Sequence, residues 1–380
     1  MAIPFERLVK EDLNLGYGSV SVTMPAGGSA TGTKVGLHTL MDDVFNVLHF
    51  GAVGDGVTND TAAIQAAINA ANGSANGRGA VYFPPTGLGG GNTYRAVGLV
   101  LTSKPIKLFG PANRGVTLLL HSDTDHLIKA EHPTAVTGIT LQDLMFHCLD
   151  STTYDCFYST RMELFSFIRC SFTHCRYGVH LDTDSRMGNI VECIFGTGCQ
   201  TGLRMEAGCH YNSIIGCWFD ENDARGIYCN SRANAFVGNT FLDNTDLHMY
   251  LDSSAHRNTI SGNTFTAGNT VGMLECYGDN NIIVGNTGDA HSGNELSFGA
   301  GAADNIVGQN NFIAAAIADG GTRTRVFGLY DASGNLRMDT GSQSTVGAAG
   351  GASALPATPS GYLIINFGGG DVVMPYYAKT

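Results

Sequence analysis

The sequence predicts an all-β protein: a right-handed, single-stranded parallel β-helix with an N-terminal capping helix and a small C-terminal β region. The first observation behind this is a repeated phrase, best preserved as Asn-x-x-x-Gly-Asn-Thr-Phe. Its leading Asn returns at positions 189, 212, 234, 258, 281 and 305, in steps of 22 to 24 residues. A repeat of this length indicates stacked units that cannot bury their apolar faces alone.

The second observation is the pattern inside each unit. The residues alternate over short β-branched runs bounded by Gly and Asn, which is typical of strands and not of helices. Leucine-rich repeats share the length, but their spaced leucines are missing from this chain. Each repeat is therefore interpreted as one coil, whose strands pair with their equivalents one coil away at a spacing of about 4.8 Å.

The third observation is that like residues recur at like places in the repeat. Two such columns of equivalent residues are found. The first is predicted to be a ladder of amides and small thiols at a corner of the coil, and the second a stack of aromatic rings in the interior. The corner column is Cys170, Cys193, Cys217, Asn239, Asn263, Asn286 and Asn310, and the aromatic column is Phe172, Phe195, Phe219, Phe241, Phe265 and Phe312.

The composition agrees with one elongated domain. The chain has 380 residues, 43% of them hydrophobic, with 51 glycines and only 14% charged residues, as expected for strands joined by tight corners. A net charge of −12 argues against nucleic acid as a partner. No apolar run reaches membrane-spanning length, which argues against a membrane partner. Several of the ten cysteines fall in the corner column, so we expect reduced, buried thiols.

Taken in order, residues 1–44 are predicted to form a small N-terminal extension. A capping helix is predicted at about 60–71, where Asp60 or Thr61 can cap and Ala62, Ile64, Ala67 and Ile68 form an apolar face. Such a helix would cover the open end of the stack. The Gly-Asp-Gly segment at Asp55 is interpreted as a turn.

The coils are predicted to extend over 45–320, with the regular ones at 164–312, and residues 321–380 are predicted to form β hairpins that could serve oligomerisation. The less regular coils carry strands predicted near Val97–Leu101, Ile106–Phe109, Val116–Leu120, Ile139–Phe146 and Phe165–Phe172.

One segment resembles a known family. Phe45-Asn-Val-Leu-His-Phe-Gly-Ala-Val-Gly-Asp-Gly-Val-Thr-Asn-Asp-Thr-Ala-Ala-Ile-Gln-Ala-Ala-Ile68, followed by Gly79-Ala-Val-Tyr-Phe-Pro-Pro85, resembles the opening of pectate-lyase-superfamily β-helix proteins, which include many phage tailspikes. The ending Gly361 to Tyr377 is similar to tailspike endings over about twenty residues. The resemblance implies a homotrimer, action on a polysaccharide, and an extracellular or virion-associated location. The N-terminus has no signal-peptide core, so release by lysis or a missing leader would be needed.

The second strand of each regular coil carries the candidate site. Alternation places one parity of its residues inside and the other in solvent. The outward residues are predicted to form one column of His180, Arg204, Tyr228 and Tyr250 and a second of Asp182, Glu206, Asn230, Asp252 and Glu275. Rings can stack on the CH faces of sugars and carboxylates can bond hydroxyl groups, so this strip is interpreted as a glycan site. A solvated polar ladder with no ligand is the alternative.

The pattern favours hydrolysis by paired carboxylates. Asp182 and Glu206 on adjacent coils would lie about 5 Å apart, and Glu206 and Asp252, two coils apart, about 10 Å. Retaining glycosidases need about 5–5.5 Å and inverting ones about 6.5–9.5 Å. Close pairing would raise the pKa of one member and create the acid. Asp182 and Glu206 are therefore the predicted catalytic pair with Asp252 as alternate, and Tyr228, Tyr250, Asn230 and Glu275 the predicted substrate-binding residues.

Two alternatives stay open. Polysaccharide lyases abstract a proton alpha to a uronate carboxylate, and the family resemblance implies a Ca²⁺–arginine arrangement for this reaction. Arg204 or His180 would then be the base, and Asp182 and Glu206 would hold Ca²⁺; hydrolysis needs no cofactor. The second alternative is a non-catalytic glycan-binding or structural tail protein on the same scaffold.

Two clusters have the composition of metal ligands. His121, Asp123, Asp125 and His126 lie in a turn-like stretch, and His147–Cys148 and His174–Cys175 lie on successive coils. We interpret the first as a turn and the second as a stacked corner, and we predict a metal at neither.

Overall fold

The computed structural model describes residues 44–327, except 75–78, 88–91, 103, 113, 132–134, 267–271, 290–293, 313–316 and 323, and beyond them 329–330, 336–337, 361–367 and 370–376. Within 44–327 the described chain is a parallel β-helix, which confirms the predicted fold class. The predicted extension at 1–44 lies outside the described residues except for Val44. The predicted domain boundaries stay predictions.

Three long parallel sheets form the walls of the β-helix. Among the described residues the first sheet has 12 strands, in pairing order Val44–Asn46, Gly79–Tyr82, Ile106–Phe109, Ile139–Gln142, Ser166–Ile168, Asn189–Val191, Ser213–Ile215, Ala235–Val237, Thr259–Ser261, Ile282–Val284, Ile306–Gly308 and Arg325–Phe327.

The second sheet has 11 strands in the described part of the chain, namely Asp55–Asn59, Thr93–Ala96, Thr117–Leu120, Met145–His147, Ser171–Thr173, Ile194–Gly196, Trp218–Asp220, Thr240–Leu242, Thr264–Phe265, Thr287–Gly288 and Asn311–Phe312. The third sheet, over the same residues, has ten strands, namely Leu99–Val100, Ile128–Ala130, Phe157–Thr160, Tyr177–Asp182, Thr201–Met205, Arg225–Cys229, Leu247–Leu251, Gly272–Cys276, Asn294–Phe298 and Ile317–Asp319.

Shorter pairings complete the described structure. Val136–Thr137 pairs in parallel with Met162–Glu163. Leu329–Tyr330 pairs with Leu336–Arg337, and Gly361–Phe367 with Gly370–Tyr376, both antiparallel. The strands of both predicted C-terminal hairpins are therefore present.

Two predicted strands are each divided in the structure. Ile139–Phe146 breaks at Asp143, and Phe165–Phe172 breaks at Arg169, because each of these residues adopts a left-handed backbone with φ of 56° and 50°. The chain turns there from the first sheet to the second. Arg169 donates two hydrogen bonds to the Asp143 carboxylate of the preceding coil, at 2.8 and 2.9 Å, and so ties the two corners together.

The helix covers the N-terminal end of the stack, as predicted. It spans Thr61–Asn72 and buries Ile64, Ala67, Ile68 and Ala71, whereas Ala62, predicted on this face, is exposed. Asp60 occupies the N-cap position, but its carboxylate accepts the backbone N–H groups of Val53 and Gly54 instead of capping the helix.

Packing of this helix requires a glycine in the strand beneath it. A Cβ atom at Gly79 would lie 2.2 Å from the Ala71 carbonyl oxygen. The Gly-Asp-Gly segment, predicted as a turn, begins the strand Asp55–Asn59, whose register shifts where the Asp55 carboxylate accepts Val57 N–H, Thr58 N–H and the Thr58 hydroxyl.

The two predicted columns are present in the interior. Rings from Phe172 to Phe265 stack with centroids 4.8 to 5.1 Å apart, one ring per coil. In the corner column each Asn side chain accepts the backbone N–H of the equivalent residue one coil before, as Asn263 Oδ1 does from Asn239 at 2.9 Å. Gly288 interrupts the aromatic stack before Phe312.

Candidate functional site

The predicted first column lies on the outward side of the third sheet. His180 pairs in register with Arg204, Arg204 with Tyr228, and Tyr228 with Tyr250. The inward neighbours Val179, Leu203, Ile227 and Met249 are fully buried. The repeat therefore brings these side chains together as the sequence predicted.

Glu275 belongs to this first column, which corrects its predicted place beside Asp252. It pairs in register with Tyr250, while Leu274 and Cys276 point inward. The sequence alignment of the coils was wrong by two residues here, so Glu275 still faces outward but lies in the column of Tyr250 instead of the column of Asp252. Tyr277 takes the predicted position of Glu275, since its N–H bonds the Leu251 carbonyl.

The rest of the second column stands as predicted, at the ends of successive strands. The N–H groups of Glu206, Asn230 and Asp252 each bond a carbonyl of the coil before, at 2.8 to 2.9 Å. Asp182, directly after Leu181, begins this column. Its carboxylate accepts the Tyr158 hydroxyl at 2.9 Å, and the Asp252 carboxylate accepts the Tyr228 hydroxyl at 2.5 Å.

His180 faces outward but is not open to solvent, which corrects the prediction of a solvent-facing residue. It is only 9% exposed. The rings of Tyr158 and Tyr177 pack edge-on against it, each with its centroid 5.1 Å from the imidazole centroid. The first column therefore begins in a covered group of side chains.

A fully buried carboxylate, Asp155, organises that group. Arg176 donates two hydrogen bonds to it, at 2.9 and 2.8 Å. His180 Nδ1 lies 3.0 Å from Asp155 Oδ2, and the Tyr177 N–H bonds Oδ1 at 3.2 Å. The Asp155 N–H donates to His126 Nδ1 at 3.0 Å, which requires His126 Nδ1 to carry no proton.

These contacts shift the pKa values of the group. Burial alone would lower the pKa of His180, but the carboxylates of Asp155 and Glu206 outweigh it and the net pKa is raised. Burial would raise the pKa of Asp155, yet His180 and Arg176 together bring it below its usual value. Burial lowers the pKa of His126. At neutral pH the group thus holds an ionised Asp155 against Arg176 and a histidine with increased proton affinity.

Glu206 has partners that make it a poor acid. Arg204 Nε donates to Glu206 Oε1 at 2.5 Å, and His180 Nε2 lies 3.8 Å from the same oxygen, too far for a hydrogen bond but close enough for attraction. His180 and Arg204 hold the pKa of Glu206 below its usual value against the opposing effect of burial. The sequence predicted a raised pKa for one member of the Asp182–Glu206 pair, and Glu206 is not that member.

Tyrosine rings and guanidinium groups alternate along the strip. The Arg204 guanidinium carbon lies 4.2 Å from the Tyr228 ring centroid and 5.0 Å from that of Tyr177. Tyr228 and Tyr250 stack with nearly parallel rings at 5.7 Å, and Arg225 lies over Tyr250 at 4.7 Å. These stacking and cation–π contacts order the rings along the strip and occupy ring faces of Tyr228 and Tyr250.

The far end of the strip holds two carboxyl groups with opposite environments. Glu275 lies beside Tyr250 and Tyr277, and burial followed by the nearby Asp246 raises its pKa. Asp252 is also partly desolvated, but hydrogen bonds from Tyr228 and from the Ser253 backbone outweigh this and lower its pKa. Asp252 is thus the ionised member and Glu275 the member with the greater affinity for a proton.

The residues predicted to hold Ca²⁺ do not fit the ion. Calcium takes six to eight oxygen ligands. Glu206 is already engaged by Arg204 and attracted to His180, and Asp182 accepts Tyr158 and the backbone N–H of Thr183. Among the described residues no group of three or more His, Cys, Asp or Glu side chains is placed to hold a metal.

The two metal-like clusters have other contacts. Asp125 pairs with Lys129 at 2.6 Å, Asp123 accepts the Ser151 hydroxyl, and His126 stacks on Tyr158 with centroids 4.7 Å apart. The rings of His147 and His174 lie 4.4 Å apart on successive coils.

Sequence reasoning missed Asp155, Arg176, Tyr158 and Tyr177. Asp155 precedes its strand in a less regular coil, so the repeat gave no reason to select it. The detectable signal was its place beside the strand Phe157–Thr160, which pairs with Tyr177–Asp182. The catalytic and substrate-binding roles of the site residues stay predictions.

Comparison with known proteins agrees with the fold. A family model described as rhamnogalacturonase A/epimerase, pectate lyase-like, matches residues 44–274, more than half of the chain. The mannuronan C5-epimerase AlgE1 of Azotobacter vinelandii is 65% identical over 40 residues, which are 10% of this chain and 3% of that protein.

Solved structures have the same architecture. ORF18 of Geobacillus virus E2 superposes with a TM-score of 0.66 at 18% identity, covering 77% of this chain and 62% of that one. The A-module of the mannuronan C-5 epimerase AlgE6 of Azotobacter vinelandii superposes with a TM-score of 0.58 at 18% identity, covering 76% and 95%. In the described part of the chain no helix has the length and apolarity to cross a membrane. On the family match, the chain belongs to the rhamnogalacturonase A/epimerase, pectate lyase-like family.

Proposed function

We propose that this protein is a polysaccharide depolymerase whose substrate lies along the outward face of the third sheet, and that it cleaves glycosidic bonds by hydrolysis. The family match and the 40-residue similarity to an enzyme named for mannuronan support a polysaccharide as substrate. The strip from Tyr177 to Tyr277 supports its position, because aromatic, guanidinium and carboxylate groups follow one another there over several consecutive coils.

The observation that carries hydrolysis is the contrast between Glu275 and Asp252. A pair of carboxyl groups whose pKa values are pushed apart provides an acid and a base at one pH. Glu275 is the acid that donates its proton to the leaving glycosidic oxygen, and Asp252 is the base that takes a proton from the attacking water.

The register between their strands supports this pair. Glu275 lies opposite Tyr250, and Asp252 is two residues further along that strand. With strands about 4.8 Å apart and a rise of about 3.3 Å per residue, their backbone positions are roughly 8 Å apart. An inverting hydrolase holds its two carboxyl groups about 6.5–9.5 Å apart with a water molecule between them, and side chains on backbone positions this far apart can reach that separation. The Asp182–Glu206 pair is less suited, since Glu206 is tied to Arg204.

A panel of capsular, pectic and alginate polysaccharides tests the proposal with the purified protein. New reducing ends without the ultraviolet absorbance of unsaturated uronates are the expected result. Glu275→Gln and Asp252→Asn should each reduce the rate by roughly 10²–10⁴-fold, as loss of a general acid or base does. Asp182→Asn is the matched control on the same strip and should keep most of the activity.

Three outcomes would contradict parts of the proposal. Parent-level rates in both Glu275→Gln and Asp252→Asn would remove this pair. Loss of activity in Asp182→Asn and Glu206→Gln, with activity retained in Glu275→Gln and Asp252→Asn, would support the catalytic pair predicted from the sequence. Binding of a polysaccharide without the formation of new chain ends would show that the protein is a glycan-binding or structural tail protein.

β-Elimination is the second candidate, favoured by one observation. Arg204 lies between two tyrosine rings beside a histidine with raised pKa, an arrangement that could neutralise a uronate carboxylate. Products with unsaturated ends, lost in Arg204→Lys, would establish this reaction in place of hydrolysis.

We further propose that the protein acts outside the cell or on a virion as a homotrimer without nucleic acid or membrane partners. The resemblance to tailspikes supports this, and the viral source of one protein with the same fold agrees with it. Sedimentation equilibrium of the full chain tests the trimer: a monomer mass would contradict it.

A further inference from the structure

The second sheet carries the one tryptophan of the chain on its outward face. Trp218 is 51% exposed, while its neighbours Cys217 and Phe219 point inward and are fully buried. A large ring left half in water on a sheet with an ordered interior is not part of the core. It lies on a different wall of the β-helix from the strip on the third sheet.

Trp218 belongs to an outward-facing column of uncharged side chains. In register it lies between Ile194 on the coil before and Thr240 on the coil after. The same column continues through Thr264 and Thr287, whose hydroxyls lie 3.3 Å apart. The threonine side chains after Trp218 are short, Trp218 keeps about half of its surface exposed, and hydroxyl groups follow it at intervals of about 4.8 Å.

Carboxyl groups border the ring on one side. Asp220 is two residues along the same strand and therefore faces outward with Trp218. Burial, followed by repulsion from Glu221 and Asp243, raises the pKa of Asp220. Its Oδ1 atom is buried and has no hydrogen-bond partner among the described residues. A buried acceptor without a partner needs an explanation, and it would gain a partner if the carboxyl group turned outward to a ligand hydroxyl.

We propose that this surface of the second sheet, formed by Trp218, Asp220, Thr240 and Thr264, is a second glycan-binding site that takes a neutral, hydroxyl-rich sugar chain. The Trp218 ring stacks on the CH face of a pyranose, Asp220 accepts a sugar hydroxyl, and the threonine hydroxyls bond the next units. This site is separate from the proposed catalytic strip and would hold the polymer while the third sheet acts on it.

The charges at this surface select against other occupants. Asp220, Glu221 and Asp243 are acidic, and the outward columns from Ile194 to Thr287 contain no Lys or Arg in the described strands. A polyuronate would be repelled by these carboxyl groups. A neutral polyol is not repelled by these carboxyl groups, and the carboxyl oxygens can accept hydrogen bonds from its hydroxyl groups.

The single tryptophan makes the site measurable in the intact protein. Tryptophan emission is titrated with cellohexaose, maltohexaose and, as a charged probe, hexamannuronate. We expect a saturable blue shift with at least one neutral hexasaccharide and none with hexamannuronate. Tyr250→Ala, on the third sheet, should leave this shift unchanged, whereas Asp220→Asn should weaken the affinity about tenfold.

Binding by variants of Trp218 itself is measured in native gels that contain the neutral polymer, where a protein that binds the polymer migrates more slowly. Trp218→Ala should lose the retardation, Trp218→Phe should keep part of it, and Ile282→Ala, an exposed apolar residue on the first sheet, should keep all of it. Cleavage of short soluble chains should stay at the parent rate in Trp218→Ala, which separates this site from the proposed catalytic one.

Three results would overturn the proposal. The first is an unchanged emission spectrum at saturating concentrations of both neutral hexasaccharides. The second is a shift that follows protein concentration together with a rise in mass, which would make the surface an interface between copies. The third is a shift with hexamannuronate that equals the shift with the neutral sugars.

Discussion

Asp155 determines the geometry of the covered end of the strip. Its carboxylate is fully buried and holds Arg176 through two hydrogen bonds and His180 through a third contact at 3.0 Å. Removing one partner from such a group leaves an uncompensated buried charge. The orientation of His180 and Arg176 on the outward face therefore depends on a residue that no ligand on that face would touch.

Replacing Asp155 should make stability less dependent on pH. The raised pKa of His180 gives a stabilisation that is complete below its unfolded value of about 6.5 and is lost as pH rises through the folded value. The lowered pKa of Asp155 gives one that is present above about 4 and is lost as pH falls through the folded value. We expect Asp155→Asn to cost about 3–5 kcal/mol near pH 5–6 and less at pH 9.

Thermal unfolding of the parent protein and of Asp155→Asn between about pH 4 and 9 measures this loss of stability. The range spans the reference pKa values of Asp and His. Asp125→Asn is the control, because it removes a partly exposed ion pair with Lys129 and should cost about 1 kcal/mol or less. A gap between parent and Asp155→Asn that is the same at every pH would contradict the linkage of Asp155 to His180.

At the scale of elements, the corners hold the coils in register. Asn263 Oδ1 accepts two hydrogen bonds from Asn239, and Asn263 Nδ2 donates to the Phe236 carbonyl and to Asn286 Oδ1. In earlier coils Cys193 and Cys217 take the same position, and their thiols lie 3.4 to 3.5 Å from backbone carbonyls of the same corner. One position thus accepts either an amide or a small thiol.

Substitutions at Asn263 should show this preference. Asn263→Ala leaves buried donors of Asn239 and the Phe236 carbonyl without partners, and we expect a loss of roughly 3–5 kcal/mol. Asn263→Cys should cost less, because a thiol serves this corner in other coils. Ser261→Ala, on the outward side of the first sheet, should change stability by about 0.5 kcal/mol or less. Denaturant unfolding gives the free energy of unfolding of the three variants. An equal loss of stability in Asn263→Ala and Asn263→Cys would contradict the interpretation.

At the scale of the whole molecule, one continuous apolar cluster runs from Val47 to Phe312 through every coil between them. All ten cysteines lie in or beside it, buried and free, as predicted from their place in the repeat. Burial raises the pKa of several of these thiols well above its usual value, including Cys175, Cys193 and Cys199. Because the thiolate is the reactive form, the folded rod should protect them.

Thiol counting tests this protection. In the native protein, an aromatic disulfide reagent should react with few or none of the ten thiols over the time in which exposed cysteine reacts completely. In denaturant without reductant all ten should react. Rapid reaction of several thiols in the native protein, with the β-structure intact, would show that the coils open locally.

The sequence by itself determined the coil, its period and its interior, because stacking equivalent residues makes a one-dimensional pattern visible in one dimension. The Phe column, the Asn corners and the outward column from His180 to Tyr250 could be predicted for that reason. Only the tertiary structure decided the register of Glu275, since two additional residues between coils preserve the alternation of inward and outward side chains but move a residue to another column. It also decided the burial of His180 and the role of Asp155, because side chains from two neighbouring coils close over them, and spacing along the chain does not record which coil covers which.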